Sequence, residues 1–200
     1  MPILGLTGGV ATGKSTFARL LLRELEMGYF DADRCVHEIL AADPEARDQI
    51  RAVFGDDVLS PDGWPERAKL RSRIYRDESE RKSLEQILHP IVRRRWTTTV
   101  TEARKTGAWQ LVDIPLLYET GVQTEFDRII VVAAPRSTQL RRLVQERNLA
   151  ASLAERIIAA QMDLGTKTQL ADHLIWNDST VSNLDGQSRL FAAWLKRRYA

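Results

Sequence analysis

Short apolar runs alternate with amphipathic stretches along the first part of the chain. The run Ile3–Leu6 is followed closely by glycines and predicts a buried strand. From Ser15 to Glu26 apolar residues recur every three or four positions, which predicts a helix that Gly28 ends. Tyr29-Phe30 predicts a second short strand. This order of strand, helix and strand favours the opening of a parallel α/β sheet.

Helical patterns fill two longer intervals further along the chain. The first runs from about Val36 to Lys105, with a predicted loop at 60–65 where proline, aspartate and glycine cluster. The second is a charged segment from Ser137 to Met162, and an amphipathic helix to about Arg198 closes the sequence. Three more strands are predicted, at 109–113, 128–133 and 173–176. Parallel strands interrupted by two helical insertions favour a layout like that of mononucleotide kinases.

The composition is that of an ordinary globular protein and narrows the class of function. Hydrophobic residues make up 44% and charged residues 28% of the 200 positions. A net charge of +2 argues against a dedicated nucleic-acid binder. The single cysteine, Cys35, excludes an internal disulfide. Neither a secretory signal nor a membrane-spanning run is seen, so a cytoplasmic protein without membrane partners is expected.

The segment Gly8–Ser15 carries the strongest chemical signal. It fits the phosphate-binding pattern of glycine, four residues, then glycine, lysine and serine, between a predicted strand and a predicted helix. Glycines let backbone N–H groups approach phosphates, Lys14 reaches the β and γ phosphates, and the Ser15 hydroxyl is placed for Mg²⁺. The sequence therefore predicts ATP and Mg²⁺ as ligands. The expected ATP-binding residues here are Gly9, Val10, Ala11, Thr12, Gly13, Lys14, Ser15 and Thr16.

Three aspartates follow predicted strands, where the phosphate loop of such a sheet also lies. Phosphoryl transfer to an alcohol needs a carboxylate near the attacking hydroxyl and carboxylates around the metal. Asp31 and Asp33 follow the second strand, and Asp113 follows Leu111-Val112 in the manner of a metal-binding carboxylate. The alternative for Asp31 and Asp33 is that they cap the helix that follows.

Arginines in the later helical segment are candidates for a lid over ATP. Arg141, Arg142 and Arg147 could neutralise charge on the transferring phosphoryl group, or could simply form a solvated helix face. Arg93 with its two arginine neighbours offers the same two interpretations for substrate phosphate.

With these residues in hand, the chain resembles the dephospho-coenzyme A kinase family over nearly its whole length. The specific stretches are Leu84–Arg93, which contains His89-Pro90, and Asp113–Glu119. The fold that the resemblance implies is α/β, a P-loop NTPase core with a parallel five-stranded sheet flanked by helices, plus a helical substrate-binding insertion and a helical lid. The implied core comprises 1–37, 106–137 and 169–200, with the insertion at 38–105 and the lid at 138–168.

The resemblance implies transfer of the γ-phosphoryl group of ATP to the ribose 3′-hydroxyl of dephospho-coenzyme A. This is the last step of coenzyme A synthesis, and the expected state is a monomer or weak homo-oligomer. The implied catalytic residues are Asp33, Lys14 and Arg142. Acceptor contacts are implied for Asp31, Asp33, His89, Arg93, Asp113 and Leu117, the metal for Ser15 and Asp113, and the ATP adenine for Asn177.

Three positions depart from the family pattern. Ala11 stands where the phosphate loop usually has glycine, which matters only if that residue needs a positive φ. Arg147 follows Arg142 by five residues rather than four, so on an α-helix it would face elsewhere unless the register starts at Arg141. Trp176 replaces a small polar or acidic residue before Asn177.

Two other functions compete with this interpretation. A nucleoside or nucleotide kinase would share the core, but the His89-Pro90 stretch speaks against it. A regulatory GTPase switch would need a guanine-reading Asn-Lys-x-Asp motif, which the sequence lacks. For His89 alone, a structural role near a helix end is the alternative to substrate contact.

Overall fold

The chain forms two compact units in a computed structural model that describes residues 1–74 and 77–199. The first unit comprises Met1–Phe30 together with the chain from Val100 onward, and the second comprises Asp31–Thr99. Within the described residues, no helix has the length and apolar character needed to cross a membrane.

A five-stranded parallel sheet forms the centre of the first unit, which confirms the predicted α/β class. Its strands are β1 (Ile3–Gly8), β2 (Gly28–Asp31), β3 (Gln110–Asp113), β4 (Arg128–Ala133) and β5 (His173–Trp176). The order across the sheet is β2-β3-β1-β4-β5, so β1 is central. Leu6 of β1 is in register with Asp113 of β3, and Gly8 with Val132 of β4. The phosphate loop therefore starts at the middle of the carboxyl edge, where ligands bind in such sheets.

Helices surround this sheet and make up most of the second unit. In the described residues they are α1 (Lys14–Glu24), α2 (Ala32–Ala42), α3 (Pro44–Phe54), α4 (Arg67–Ile74), α5 (Glu78–Thr106), α6 (Arg136–Arg141), α7 (Ala151–Ala159), α8 (Leu164–Leu170) and α9 (Val181–Tyr199). On one side of the sheet the ring centroids of Phe17 on α1 and Phe191 on α9 lie 6.3 Å apart. Apolar residues of β1, β4, α1 and α9 share this core, including Leu4, Leu6, Leu21, Ile130, Val132 and Leu195. Their burial packs α1 and α9 against this side of the sheet.

The second unit is helical, as the pattern between 36 and 105 predicts. Asp43 caps α3 by accepting from the backbone N of Ala46 at 3.2 Å, and Pro44 opens that helix. The predicted loop is a tight turn in which the N–H of Gly63 donates to the carbonyl of Ser60 at 2.9 Å. The buried apolar residues of the second unit include Cys35, Ile39, Ile50, Phe54, Leu70, Leu84, Ile87, Leu88 and Ile91.

The prediction that Gly28 ends the first helix is wrong, and the structure decides the helix bounds at two other places. Helix α1 ends at Glu24, and Gly28 instead begins β2, where its N–H donates to the carbonyl of Trp109 at 2.9 Å. The segment Ser137–Met162 is not one helix, because a π turn over Arg142–Glu146 and a left-handed residue, Asn148 at φ 54°, interrupt it. The alternative of a position near a helix end does not apply to His89, since α5 continues through Pro90.

Candidate active site

The phosphate loop is built around glycines that no other residue could replace. Gly13 has φ 94°, and a Cβ there would lie 2.2 Å from Nδ2 of Asn177. Gly8 has φ 150°, and a Cβ there would lie 2.1 Å from the carbonyl oxygen of Val132. Both positions combine a left-handed backbone with a close approach, which only glycine accommodates. The loop therefore has the open, backbone-lined shape that phosphate binding requires.

Helix α1 begins at this loop with its N-terminus available to an anion. Among the described residues no side chain caps this end, and its first turn contains no acidic residue. The first N–H groups of a helix lack intrahelical partners and carry partial positive charge. Lys14 is half-buried and Ser15 is exposed at this point. The residues present therefore fit a bound polyphosphate.

Ala11 adopts the left-handed conformation, with φ 57°. Only one other described non-glycine residue, Asn148, has a positive φ. For a residue with a Cβ this conformation costs roughly 1–2 kcal/mol. The condition under which Ala11 matters, a positive φ at this position, is therefore met.

Four polar side chains from α6, the lid segment and the end of β5 hold the backbone of Val10, Ala11 and Thr12. Nε2 of Gln139 donates to the Val10 carbonyl at 2.7 Å, and the Val10 N–H donates to Oε1 of Gln161 at 2.8 Å. The Arg142 guanidinium donates to the carbonyls of Ala11 at 2.9 Å and Asn177 at 3.1 Å, and Nδ2 of Asn177 donates to the Thr12 carbonyl at 2.8 Å. We call Gln139, Arg142, Gln161 and Asn177 the loop clamp.

The three candidate lid arginines have different surroundings. Arg142 contacts the phosphate loop as part of the clamp, whereas Arg141 pairs with Glu146 at 3.3 Å on the exposed side. The N–H of Arg147 donates to the carbonyl of Arg142 at 3.2 Å, which is the five-residue spacing of a π turn. On a π turn, five residues make one turn, so Arg147 lies one turn after Arg142. On a regular α-helix, a residue would need a spacing of about four to take this position.

Asp113 and Leu117 follow β3 and are both buried. Asp113 is 4% exposed and lies beside Leu6 at the end of the central strand. Leu117 is 0% exposed, and its Cδ1 lies 2.9 Å from where a Cβ on Gly5 would be. Asp113 is therefore at the edge that carries the phosphate loop, while the Leu117 side chain fills space beneath β1.

The second unit carries the other predicted residues. Asp31 ends β2 and caps α2, its Oδ1 accepting from the N–H of Arg34 at 3.0 Å. Asp33 is exposed in the first turn of α2. His89 and Arg93 are one turn apart on α5, and both are exposed. Asp31 thus caps the following helix, as the alternative to a substrate role describes, whereas the substrate roles of all four residues stay predictions.

Both arginines that follow Arg93 form ion pairs within the second unit. Arg94 pairs with Glu45 at 2.8 Å, and Arg95 pairs with Asp43 at 2.8 Å. Burial alone would raise the pKa of Asp43, but the hydrogen bonds from Ala46 and Arg95 outweigh it and hold that pKa below its usual value. Arg94 and Arg95 therefore fasten α5 to the start of α3.

Comparisons with known proteins place the chain in a family. The family model described as dephospho-CoA kinase matches residues 2–183. A dephospho-CoA kinase of Bacillus thuringiensis subsp. konkukian is 39% identical over 180 residues, covering 90% of each chain. That of Methylococcus capsulatus is 35% identical over 201 residues, covering 100% of this chain and 98% of the relative. A solved structure from Thermus thermophilus superposes with a TM-score of 0.79 at 26% identity, covering 99% of this chain and 98% of that one. The chain belongs to the dephospho-CoA kinase family.

Membership in the dephospho-CoA kinase family confirms the predicted resemblance and the P-loop fold. It also confirms that the chain is a kinase and that its reaction is the ATP-dependent phosphorylation of dephospho-CoA.

The sequence assigns no site role to several polar residues near the phosphate loop and the loop after β3 of this dephospho-CoA kinase. Gln139 and Gln161 belong to the loop clamp, yet both lie in a segment whose charged pattern predicts a solvated helix. Lys167 is 0% exposed and pairs with Glu119 at 2.8 Å. Gln139 is 3% exposed, so its burial is the feature that marks it. The local charge pattern does not distinguish such residues from surface ones, although Gln139 and Gln161 belong to the series of positions that resemble the family.

Proposed function

We propose that the site described above carries out the family reaction as follows. The γ-phosphoryl group of ATP passes to the ribose 3′-hydroxyl of dephospho-CoA, giving coenzyme A and ADP. The observation that carries the proposal is the phosphate loop itself: a left-handed, glycine-lined turn that opens into the uncapped N-terminus of α1, in a chain that matches this kinase family over residues 2–183.

Backbone N–H groups and two cations hold the ATP phosphates in this proposal. The loop from Gly9 to Thr16 wraps the α and β phosphates, with N–H groups at the start of α1 donating to them, and Lys14 reaches the β and γ phosphates. Arg142, already held against the Ala11 carbonyl, neutralises charge that spreads over the transferring group. Asn177 contacts the adenine at the end of β5. The lid at 138–168 closes over the nucleotide and excludes water.

The donor groups beside the phosphate loop fit Mg²⁺. In the described residues no cluster of three or more histidine, cysteine or acidic side chains could hold a metal by itself. Mg²⁺ is commonly bound by one or two protein oxygens together with substrate phosphates and water. The exposed Ser15 hydroxyl and the Asp113 carboxylate supply such oxygens at one edge of the sheet. Bound there, the ion would neutralise charge on the β and γ phosphates.

The acceptor is handled by the second unit in this proposal. Asp33 takes the proton of the 3′-hydroxyl as its oxygen attacks the γ-phosphorus and the bond to the β-phosphate oxygen breaks. Arg93 and His89, exposed one turn apart on α5, bind the acceptor's phosphates. Asp31 and Leu117 also contact the acceptor. The acceptor-binding insertion spans 38–105, and the nucleotide-binding core spans 1–37, 106–137 and 169–200. We further propose that the enzyme acts in the cytoplasm as a monomer or weak homo-oligomer.

An assay of ADP release tests the proposal, with dephospho-CoA, adenosine and nucleoside monophosphates offered in parallel. Turnover with dephospho-CoA alone is expected, together with a product that carries one added phosphate on the ribose 3′-oxygen. The matched control is Lys14→Ala, which keeps the fold but lowers turnover by removing transition-state stabilisation. Turnover confined to adenosine or nucleotides would overturn the acceptor assignment, and an unchanged rate in Lys14→Ala would overturn the phosphate-loop assignment.

A further inference from the structure

A buried lysine lies in the first unit outside the site assigned above. Lys167 on α8 is 0% exposed, and its Nζ donates to the carbonyl of Pro115 at 3.0 Å and contacts Oε1 of Glu119 at 2.8 Å. Removing an ammonium group from water carries a large desolvation penalty, and a buried ion pair seldom repays this penalty fully in stability. An apolar side chain of similar size would fill the same space at less cost. Stability alone therefore gives little reason for a charge here.

The partners of Lys167 belong to the loop that follows Asp113. Pro115 lies two residues after Asp113, and its carbonyl also accepts from Oγ1 of Thr7 at 3.0 Å. Thr7 is fully buried on β1, directly before Gly8 of the phosphate loop. One carbonyl thus receives hydrogen bonds from α8 and from the strand that leads into the phosphate loop. This shared carbonyl links α8, the Asp113 loop and the strand that leads into the phosphate loop.

Further contacts fix α8 and the residues before it to the same two loops. Oε1 of Glu119 accepts from the backbone N–H of Met162 at 2.9 Å as well as from Lys167. Gln161, next to Met162, binds the Val10 N–H. At the far end of α8, the Tyr118 hydroxyl donates to the carbonyl of Leu170 at 2.9 Å, and burial raises the pKa of Tyr118 to about 12, so it keeps its proton. Residues 161–170 therefore bridge the two loops.

Lys14 of the phosphate loop is close enough to affect the buried Lys167. Burial lowers the pKa of Lys167, and the Lys14 charge lowers it further, while Glu119 acts in the opposite direction. The Lys14 and Lys167 ammonium groups are therefore close enough to interact, and Glu119, paired with Lys167 at 2.8 Å, favours the charged form of Lys167.

We propose that Lys167 and Glu119 form a positioning pair that holds the Asp113 loop and the phosphate loop in register for Mg²⁺ and ATP. The pair touches neither substrate and acts through the Pro115 carbonyl and the Met162 N–H. The proposal rests on the proposed function insofar as Asp113 is taken as a metal ligand. Groups that orient a metal ligand from behind typically contribute 10–100-fold to metal affinity or activity.

The test compares Lys167→Met with the wild type in two measurements. Calorimetry with a non-hydrolysable ATP analogue, with and without Mg²⁺, reports the metal-dependent part of nucleotide binding without any turnover. Steady-state assays with dephospho-CoA give kcat, KM and the Mg²⁺ concentration for half-maximal rate. We expect kcat to fall 10–100-fold, the half-maximal Mg²⁺ concentration to rise, and metal-free analogue binding to change little. If the wild type itself fails to phosphorylate dephospho-CoA, the proposed function fails, whereas the calorimetric comparison still decides the role of Lys167.

Two controls separate positioning from stability. Leu195→Ala removes a fully buried side chain of α9 and should lower the Tm at least as much as Lys167→Met, with kcat and Mg²⁺ dependence unchanged. Glu119→Gln, whose side chain is 21% exposed, should reproduce the Mg²⁺ defect and carries the test should Lys167→Met not fold. The double variant should be no worse than either single one, because the residues act as a pair. Wild-type Mg²⁺ dependence in both single variants, or additive losses in the double variant, would overturn the proposal.

Discussion

At the scale of single residues, Ala11 shows how a loop tolerates a side chain where glycine is favoured. Its φ of 57° would suit glycine, yet its carbonyl is held by Arg142 at 2.9 Å and its neighbours by the other clamp residues. Strained residues persist where their surroundings fix them, and they cluster at functional sites. The hydrogen bonds of the loop clamp therefore stabilise the left-handed conformation that alanine disfavours at this position.

We expect Ala11→Gly to stabilise the protein. The left-handed conformation costs alanine roughly 1–2 kcal/mol, and the extra freedom of glycine in the unfolded chain offsets about 0.4–1 kcal/mol of that gain. The net gain should be of the order of 0.5–1 kcal/mol, which raises the Tm by about 1–4 °C for a chain of this length. Thermal denaturation measures it. Ala193→Gly is the matched control, since Ala193 is exposed within α9 and glycine there should lower stability by about 1 kcal/mol. A drop in Tm for both variants would contradict the strain at Ala11.

A second residue-scale prediction concerns the proposed base. Asp33→Asn keeps the size and helix position of the side chain but removes the proton acceptor. Turnover should fall by at least about 100-fold, while ATP binding stays close to that of the wild type. Steady-state kinetics and nucleotide titration measure the two quantities. Asp48→Asn, the same change at another exposed helical aspartate of this unit, should leave both unchanged. A near-normal rate in Asp33→Asn would remove Asp33 from the mechanism.

At the scale of elements, α5 continues through a proline. Pro90 lacks an N–H, so the carbonyl of Gln86 loses its intrahelical partner, and the ring crowds the preceding turn. His89 and Arg93, the proposed acceptor-binding residues, flank this point. The proline thus sets the local direction of the helix that presents both side chains.

We expect Pro90→Ala to stabilise the second unit and to weaken acceptor binding. Alanine restores a backbone hydrogen bond, so the free energy of unfolding should rise by about 1–3 kcal/mol. The straighter helix should raise KM for dephospho-CoA without changing ATP affinity, a common trade between stability and function.

Denaturant unfolding and steady-state kinetics check the two parts of this prediction. Pro61→Ala is the control, because Pro61 lies in the turn that Gly63 closes, where proline limits the unfolded chain. That change should lower stability by about 0.4–1 kcal/mol. A stability loss in Pro90→Ala as well would show that the helix gains from its proline.

Elements with strong local patterns were predictable from sequence, and those set by distant contacts were not. The strands 128–133 and 173–176 have the predicted bounds, because apolar, β-branched runs need only a sheet to bury them. The segment 137–162 has helical periodicity throughout, yet Arg142 reaches back to Ala11, 131 residues away, and the π turn and Asn148 interrupt it. Periodicity predicts an element but not the tertiary contacts that break it.

At the scale of the whole molecule, the candidate site also contains features set by local sequence and features set by contacts between distant residues. The position of the phosphate loop and of Asp113 at the carboxyl edge of the sheet was predictable, because strand, turn and helix signals are local in sequence. The buried pair of Lys167 with Glu119 was not, since the residues lie 48 positions apart and either one alone is an ordinary surface type. Positions set by local sequence are thus easier to predict than pairs formed between distant parts of the chain.

The stability of the whole molecule should depend on pH through His173. This residue on β5 packs edge-on against two rings of α9, with centroids 4.9 Å from Phe191 and 4.3 Å from Trp194. Burial lowers the pKa of His173, and Arg128 lowers it further, while Asp172 opposes them. The folded state therefore binds fewer protons than the unfolded state, whose histidine titrates near about 6.5. Stability from this residue is fully present above that pH and is lost as the pH falls toward the lower folded pKa.

Two matched variants isolate this effect from the carboxylates, which also titrate in acid. We expect the Tm of wild type to fall more steeply between pH 7 and pH 5 than that of His173→Phe, which keeps an aromatic ring in the cluster without a proton site. His37→Phe removes an exposed histidine of α2 and should keep the wild-type slope. Thermal melts of the three proteins across this pH range measure the slopes. Equal slopes in wild type and His173→Phe would mean that the imidazole binds its proton as readily folded as unfolded, and that α9 could open to admit the charge at little cost.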